Sequence, residues 1–399
     1  MASAGRVLII VENLTVPFDR RVWLEAQALT GAGYQVSVIC PKGENYTKSF
    51  EVLEGIRIYR YPTPPPTKGT PSYVLEFIYC WFATAWLSLK IHFREGFDII
   101  HACNPPDTFF ALGRLYKLFG KKFIYDQHDL CPELFLARFG SPKGWTYKML
   151  VALEKWTYDT ADIVLATNES YKKSAVERGR VPPEKVVVVR SAPDVKRFSA
   201  VEPAEDLKRG RKYLVSYLGV MAPQDGVDYL VRSIDHIVRT RKRDDVHFAL
   251  IGSGDSYHGL RSLTTELGLD GYVEFTGRIS DIEVERYLST SEVCVSPDPK
   301  NDLNDSSTMN KILEYMALGR PIVAFDLKET RYSAADGALY AAANDHRDFG
   351  DKIVELLDDE GRRESMGKQN SRRLRDVLSW DSSKECLLKA YKTIAGGRR

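Results

Sequence analysis

The sequence predicts an α/β protein of two doubly wound parallel-sheet domains in tandem. Three observations predict it. Strand-like apolar runs alternate with helix-like runs almost throughout, the pattern of parallel strands joined by crossover helices. The 399 residues exceed one ordinary core and suit two of about 200 residues each. The alternation lapses at the polar, charged stretch Asp194–Arg211 and then restarts. The expected organisation is therefore a first domain at 1–195, a linker at 196–211, a second domain at 212–379 and a closing segment at 380–399.

In the first half the expected strands are Arg6–Asn13, Tyr34–Pro41, Ile56–Tyr61, Phe97–Asn104, Lys122–His128, Asp162–Asn168 and Lys185–Arg190. Helices fall between them at Arg21–Thr30, Thr108–Phe119 and Tyr147–Thr160. In the second half Tyr213–Val220, His247–Gly252, Tyr272–Gly277, Val293–Pro297 and Pro321–Phe325 read as strands. Val227–Arg239, Leu260–Leu267, Ile282–Ser289 and Asn310–Leu318 read as helices. The last helix, from about Ser382 to Ile394, carries Leu387, Leu388 and Tyr391 on one side. Two such Rossmann-like domains would face each other across a cleft at their carboxyl strand ends.

Composition narrows the function classes. With 44% hydrophobic residues the chain can bury both cores. The 56 basic and 54 acidic residues nearly cancel, which argues against a nucleic-acid partner. The six cysteines are scattered without a CxxC, which fits a reducing cytoplasm and points to no metal site. The N-terminus runs straight into a strand, so no signal peptide is expected. Tyr73–Phe93, with Glu76 its one acid and Lys90 and His92 late, approaches the length that spans a bilayer. A helix packed on a sheet is the preferred reading. A face dipping into the inner surface of a membrane is the intermediate one. The proline-rich run Pro62–Gly69 before it reads as a stiff loop.

The most informative stretch is Ser306–Ala324, which reads as a loop, a short helix, a Gly-Arg-Pro break and a buried strand. Ser306, Ser307 and Thr308 place hydroxyls before the helix, where they can cap it and leave N–H groups for a phosphate. Glu314 follows about two turns into the helix. A phosphate site beside a carboxylate suits a nucleotide sugar. Read alone, Glu314 is equally a solvated helix residue. Gly252-Ser253-Gly254, after a strand, lets the backbone approach a ligand or simply turn.

Taken together, these segments resemble the family 4 glycosyltransferases, which have the GT-B fold of two Rossmann-like domains. The resemblance covers nearly the whole chain and is strongest in the second half. It is carried by Gly252-Ser253-Gly254-Asp255, Val273–Ile279 and Glu314–Ala324 in that order. Asp194 and Phe198 match the family's inter-domain pattern, and Trp380 with the helix after it resembles the closing segment that crosses back to the first domain. The resemblance implies a nucleotide-sugar donor, a glycan, lipid-linked or small-molecule acceptor, retention of configuration and no metal or other cofactor. It implies that Glu314 accepts hydrogen bonds from the ribose hydroxyls. It also implies that His128, at the end of the strand Phe123–Asp129, contacts the donor sugar. UDP is expected over GDP by family habit.

Two positions depart from the family. Ser306 stands where a second glutamate is usual, and the loop Gly219–Gly226 lacks the usual arginine and lysine. A replacement set is Ser307, Thr308, the helix N–H groups and Lys311, because a cation in a first helical turn is disfavoured by about 0.3–1 kcal/mol unless an anion sits there. The alternative is that Lys311 points to solvent or pairs with Asp305. Arg278 is a second diphosphate candidate, equally readable as a surface arginine. His101 is a competing histidine, and Asp126 or Asp129 is expected to orient His128. In the loop after the first strand, Asp19, Arg20 and Arg21 either meet an anionic acceptor or are solvated charges at a helix start. Asn168 reads as a helix cap. The other enzymatic reading is a sugar-nucleotide epimerase of the same fold. The non-catalytic one is a degenerate nucleotide-binding homologue. A dehydrogenase fits less well, since no GxGxxG follows the first strand.

Overall fold

The computed structural model describes residues 4–63, 70–140, 143–193 and 198–396; Asp194 and most of the proline-rich loop lie outside them. The chain packs as two compact units. One takes the chain up to Leu136, most of the stretch to Arg190, and the segment from Asp381. The other takes Ser191–Trp380 and the turn Ala137–Gly140.

The first unit is built on β1 (Arg6–Ile10), β2 (Gln35–Pro41), β3 (Phe50–Leu53), β4 (Ile56–Tyr61), β5 (Ile99–Cys103), β6 (Lys122–Gln127), β7 (Ile163–Ala166) and β8 (Val186–Val188). Its helices are α1 (Arg20–Gly31), α2 (Thr70–Arg94), α3 (Phe110–Lys117), α4 (Cys131–Phe139), α5 (Trp145–Thr160) and α6 (Glu169–Glu177). Strand order is β3-β4-β2-β1-β5-β6-β7-β8, parallel except for the β3–β4 hairpin. The β1 residues Val7–Ile10 are fully buried, as a strand covered on both faces requires. The hairpin was not expected: its turn, Glu54 (φ 49°) and Gly55 (φ 81°), uses a glutamate where Asn or Asp is the usual signal. Asn168 caps α6 by accepting from the Tyr171 amide at 2.8 Å.

The second unit carries β9 (Tyr213–Leu218), β10 (Val246–Ile251), β11 (Val273–Gly277), β12 (Val293–Ser296), β13 (Ile322–Phe325) and β14 (Ala338–Ala341). Its helices are α7 (Val227–Asp235), α8 (Tyr257–Glu266), α9 (Asp281–Thr290), α10 (Asp302–Ser306), α11 (Asn310–Ala317), α12 (Lys328–Ala334), α13 (His346–Leu357) and α14 (Glu360–Val377). Its sheet is parallel, in the order β11-β10-β9-β12-β13-β14. The chain order reverses at β1/β5 in the first sheet and at β9/β12 in the second. Ligands of doubly wound sheets bind at the carboxyl ends of strands at such switch points.

The expected linker is not a free linker where the structure describes it. Phe198 and Leu207 are buried in the second core, and the amides of Val201 and Ala204 donate to Ser289 Oγ (3.1 Å) and Thr290 Oγ1 (2.9 Å). Helix α15 (Trp380–Gly396) packs into the first unit. It buries Leu387 and Tyr391, and the Tyr391 ring meets Tyr34 edge-on at 5.5 Å.

Helix α2 rests on β2 and β4, and no helix among the described residues is long and apolar enough to cross a membrane. Its amphipathicity is inverted. The buried face presents Cys80, Thr84 and Ser88, while Phe82, Trp86 (71% exposed) and Phe93 (82% exposed) face outward. Beneath the buried face lies Glu12, whose carboxyl is pushed up to about 9 by burial and by the nearby Glu76.

Candidate functional site

In the second unit, α11 is fixed by its own sequence. Ile312, Leu313, Tyr315 and Met316 are buried, and each fully buried side chain of this kind contributes about 1.5–3 kcal/mol. Tyr315 donates to Val295 O (3.1 Å) and accepts from the Leu218 amide (2.8 Å), tying the helix to the ends of β12 and β9. Gly319 (φ 64°) closes it, with the Arg320 amide returning to Tyr315 O at 2.9 Å. Glu314 sits half-buried between these anchors.

The residues before α11 are arranged differently from the expected capping loop. Ser306 ends the helix α10, which sequence reading missed and which is capped by Asn301 accepting from the Asn304 amide at 2.9 Å. Ser307 donates backward to Leu303 O at 2.8 Å. The N-cap of α11 is Met309, whose side chain makes no cap hydrogen bond.

Lys311 neither reaches solvent nor pairs with Asp305. It is buried with its Nζ 2.7 Å from Asp298 and 3.9 Å from Asp225, over the ring of Tyr217 at 5.0 Å. Asp305 instead lies 3.5 Å from Lys300 and accepts from the Lys328 amide at 2.9 Å. Burial alone disfavours the Lys311 charge, but Asp298 and Asp225 outweigh it and raise its pKa. Asp225 is pushed up to about 6 by burial and by Asp298, against the pull of Lys311. Asp298 follows β12 and Asp225 lies in the loop after β9, so this cluster marks the switch point of the sheet. An aspartate between two prolines at a strand end, Pro297-Asp298-Pro299, is the sequence signal that would have found it.

The glycines answer to backbone, not to open ligand space. A Cβ on Gly252 (φ 130°) would lie 1.9 Å from Gly219 O, and one on Gly254 would lie 2.5 Å from Met221 O. The loops after β9 and β10 are thus in contact through their main chains. Arg278 is exposed after β11 and makes no ion pair among the described residues.

In the first unit the acceptor-loop expectation is corrected. Arg21 is buried, neither solvated nor presented to an acceptor. Its guanidinium grips Asp126 through two bonds (Nε–Oδ2 3.2 Å, Nη2–Oδ1 2.7 Å), lies 3.1 Å from Glu25 and donates to Val189 O at 2.7 Å. Asp19 is buried as the N-cap of α1, accepting from the Val22 amide at 3.1 Å, so it serves the helix. Arg20 alone of the three is exposed.

His128 stands next to this pair. Asp126, not Asp129, orients it: His128 Nε2 lies 2.6 Å from Asp126 Oδ2. Burial alone would raise the Asp126 carboxyl. The charges of Arg21 and His128, with hydrogen bonds from His101 and His128, hold it well below the usual range instead. An ionised Asp126 only accepts, and Arg21 Nε also lies 3.1 Å from the same His128 Nε2, so this edge of the ring is held from two sides. Glu25 goes the other way: burial and the Asp126 charge raise it well above a normal carboxyl, against the pull of Arg21. Asn104, at the end of β5, clamps the His128 backbone by accepting from the amides of His128 (2.6 Å) and Asp129 (3.1 Å). Its Nδ2 donates in turn to Asp107 Oδ1 (3.0 Å) and Asp129 O (2.8 Å). His101 is wholly buried, within 3.3 Å of Asp126 and 2.7 Å of the Tyr391 hydroxyl. Among the described residues, His101, Cys103 and Asp126 come close enough together to suggest a metal. The positive charge there is already supplied by Arg21, whose guanidinium is bonded to Asp126.

Two doubly wound parallel-sheet units, with polar clusters at the carboxyl strand ends of each, define a GT-B glycosyltransferase architecture. Residues 19–192 match the glycosyl transferase 4-like domain, and residues 212–359 match the glycosyl transferases group 1 family. The chain belongs to the family 4 glycosyltransferases. It is 26% identical over 181 residues to an uncharacterized glycosyltransferase of Methanocaldococcus jannaschii, a match spanning 45% of this chain and 48% of that protein. The match thus spans about half the length of that relative. Sucrose-phosphate synthase from Thermosynechococcus elongatus shares the fold with a TM-score of 0.77 at 19% identity, over 98% of this chain and 100% of its own. HepE of Anabaena, in complex with UDP and glucose, does so with a TM-score of 0.73 at 15% identity, over 98% and 100%.

Proposed function

We propose that this chain transfers a hexosyl or N-acetylhexosaminyl group from a nucleoside-diphosphate sugar to a hydroxyl of a glycan, lipid-linked or small-molecule acceptor, with retention of configuration. The observation that carries this reading is that the two family matches fall, in order, on the two doubly wound units. UDP is the preferred nucleotide, supported by the ligand named for HepE.

On this reading the second unit binds the donor. Glu314 accepts from the ribose hydroxyls, and the amides at the start of α11 with Ser307 and Thr308 hold the diphosphate. The loops of Gly219, Gly252 and Gly254 form the floor, and Arg278 approaches the phosphates from solvent. Lys311 must be drawn from its carboxylates to take part, so its contribution is electrostatic and local. In the first unit His128 meets a sugar hydroxyl while Asp126 and Arg21 hold its Nε2. In front-face attack the sugar C1–O bond to the diphosphate breaks, and the acceptor oxygen bonds C1 on the same face. The acceptor proton passes to the departing phosphate oxygen. The protein's work is positioning and charge stabilisation, and the route requires no metal or cofactor.

A nucleotide-release screen across UDP- and GDP-sugars tests the reading. Glu314→Ala is expected to raise the donor KM, and His128→Ala to depress kcat by about 10²-fold. Full activity in both variants with a working donor would overturn the site assignment. Nucleotide binding without turnover on any pair would indicate a degenerate homologue.

The inverted face of α2 supports a peripheral contact with an anionic bilayer, where a lipid-linked acceptor would be found. His92 of α2 meets the ring of Phe119, which with Leu118 is exposed just after α3, and Lys90, Arg94 and Lys121 lie on the same helices or just beyond them. Apolar anchors with basic residues suit an anionic lipid surface. The full chain is expected to float with vesicles containing anionic lipid, and Trp86→Glu/Phe93→Glu to remain in the dense fraction. Equal flotation of both proteins refutes the contact.

A further inference from the structure

We infer that Tyr391, on the C-terminal helix α15, is a positioning residue for His128, acting through His101 and Asp126. The inference rests on the reading of His128 as the residue that meets the sugar. Its basis is an unbroken chain of polar contacts: Tyr391 Oη to His101 Nδ1 at 2.7 Å, His101 Nε2 to Asp126 Oδ2 at 3.3 Å, and Asp126 Oδ2 to His128 Nε2 at 2.6 Å. Tyr391, His101 and Asp126 are buried, so water cannot substitute for a missing partner. Tyr391 and His101 lie 290 positions apart in the chain.

Proton positions along the chain follow from one fixed point. Asp126, paired with Arg21, is an ionised carboxylate and can only accept. The His101 ring is neutral, because burial disfavours its charge. Its proton must therefore sit on Nε2, which faces Asp126 and the Glu25 carboxyl at 3.4 Å. Nδ1 is left as an acceptor, and the Tyr391 hydroxyl donates to it. Tyr391 thereby fixes the tautomer and ring angle of His101. His101 Nε2 in turn lies 3.3 Å from Asp126 Oδ2, the atom that orients His128. Removing the hydroxyl leaves His101 Nδ1 without a donor inside the core. The ring then turns or changes tautomer, which alters its 3.3 Å contact with Asp126 Oδ2 and with it the placement of His128. A core packing role for Tyr391, against Tyr34, would require the ring but not the hydroxyl.

Tyr391→Phe separates the two roles. The variant is expected to lower kcat about three- to tenfold, the rate equivalent of one net hydrogen bond, with the donor KM held. In 1H–15N spectra of the histidine rings, the His128 Nε2 resonance is expected to move and the His101 Nδ1 resonance to lose its hydrogen-bond shift. Leu387→Ala loosens the same helix without touching the polar chain and is expected to leave both ring signatures in place. Unchanged spectra and kcat in Tyr391→Phe, or the same changes in Leu387→Ala, overturn the proposal. If Tyr391→Phe does not fold, the wild-type spectrum decides: His101 protonated on Nε2 supports the relay, and protonation on Nδ1 ends it. The ring spectra report the relay independently of turnover. Full activity in His128→Ala would therefore sink the sugar-contact reading without being confused with failure of the relay.

Discussion

Asp126→Asn is expected to cost about 3–5 kcal/mol of folding stability, because it leaves the buried Arg21 guanidinium without its bidentate partner. The neighbouring Glu25 decides where in that range the value falls. Its carboxyl is raised well above the usual range in the native protein and lies 3.1 Å from the same guanidinium. Once Asp126 is neutral, Glu25 is free to ionise and take over part of the pairing. Glu25→Gln alone is expected to be mild, since burial already disfavours the charge that the amide removes. The double variant Asp126→Asn/Glu25→Gln is expected to cost more than the sum of the singles by about 1–2 kcal/mol, a coupling typical of groups sharing one partner. Urea denaturation of the four proteins at neutral pH checks this. An additive cycle would mean that Glu25 does not stand in for Asp126. Nucleotide release in Asp126→Asn is expected to fall by about 10²-fold, since His128 loses the acceptor that fixes its ring.

Lys311→Met is the second large effect. The lysine is the cation between Asp298 and Asp225, and its removal at pH 8 leaves buried carboxylates facing each other, at a cost of about 3–5 kcal/mol. The cost depends on pH with a definite sign. In the native protein the Asp225 carboxyl is raised from 3.8 to about 6, so the folded state binds this proton more tightly than the unfolded chain. That contribution is fully present below pH 3.8 and is lost as pH rises through about 6. Without Lys311 the restraining charge is gone and the window extends further upward. The variant's deficit is therefore expected to be small at pH 5 and large at pH 8, by urea denaturation at each. An equal deficit at both would show that the carboxylates are not the cause. UDP affinity measured on the same variant separates the roles. Unchanged affinity beside lost stability would confine Lys311 to structure and remove it from the phosphate site.

The fold was legible because its signal is local and repeated. Strands such as Val7–Ile10 are buried on both faces and read as continuous apolar runs between helical segments. The elements that escaped reading lacked that signal. β14 is the short run ALYA, two of whose residues have low strand propensity, and the β3–β4 turn is built on Glu54. α10 is five residues long, too brief to show a helical period.

The site divided along the same physical line. Glu314 and His128 stand out in the sequence because each sits at a fixed offset within one short segment. The burial of Arg21, Asp19 and Lys311 was not legible, since a charged residue at a helix start is ordinarily solvated. Two of them meet partners beyond their own helix: Arg21 meets Asp126 across 105 positions, and Lys311 meets Asp298 across 13. The sequence by itself determined two parallel-sheet units, their order, and the strand ends at which chemistry collects. Hydrophobic period and helix punctuation are properties of neighbouring residues, and they suffice for that. Only the tertiary structure decided which charges neutralise one another, that Glu25 and Asp126 shift in opposite directions, and that α15 brings Tyr391 to His101. Those outcomes depend on burial and on distances of a few ångströms between residues the chain order keeps apart.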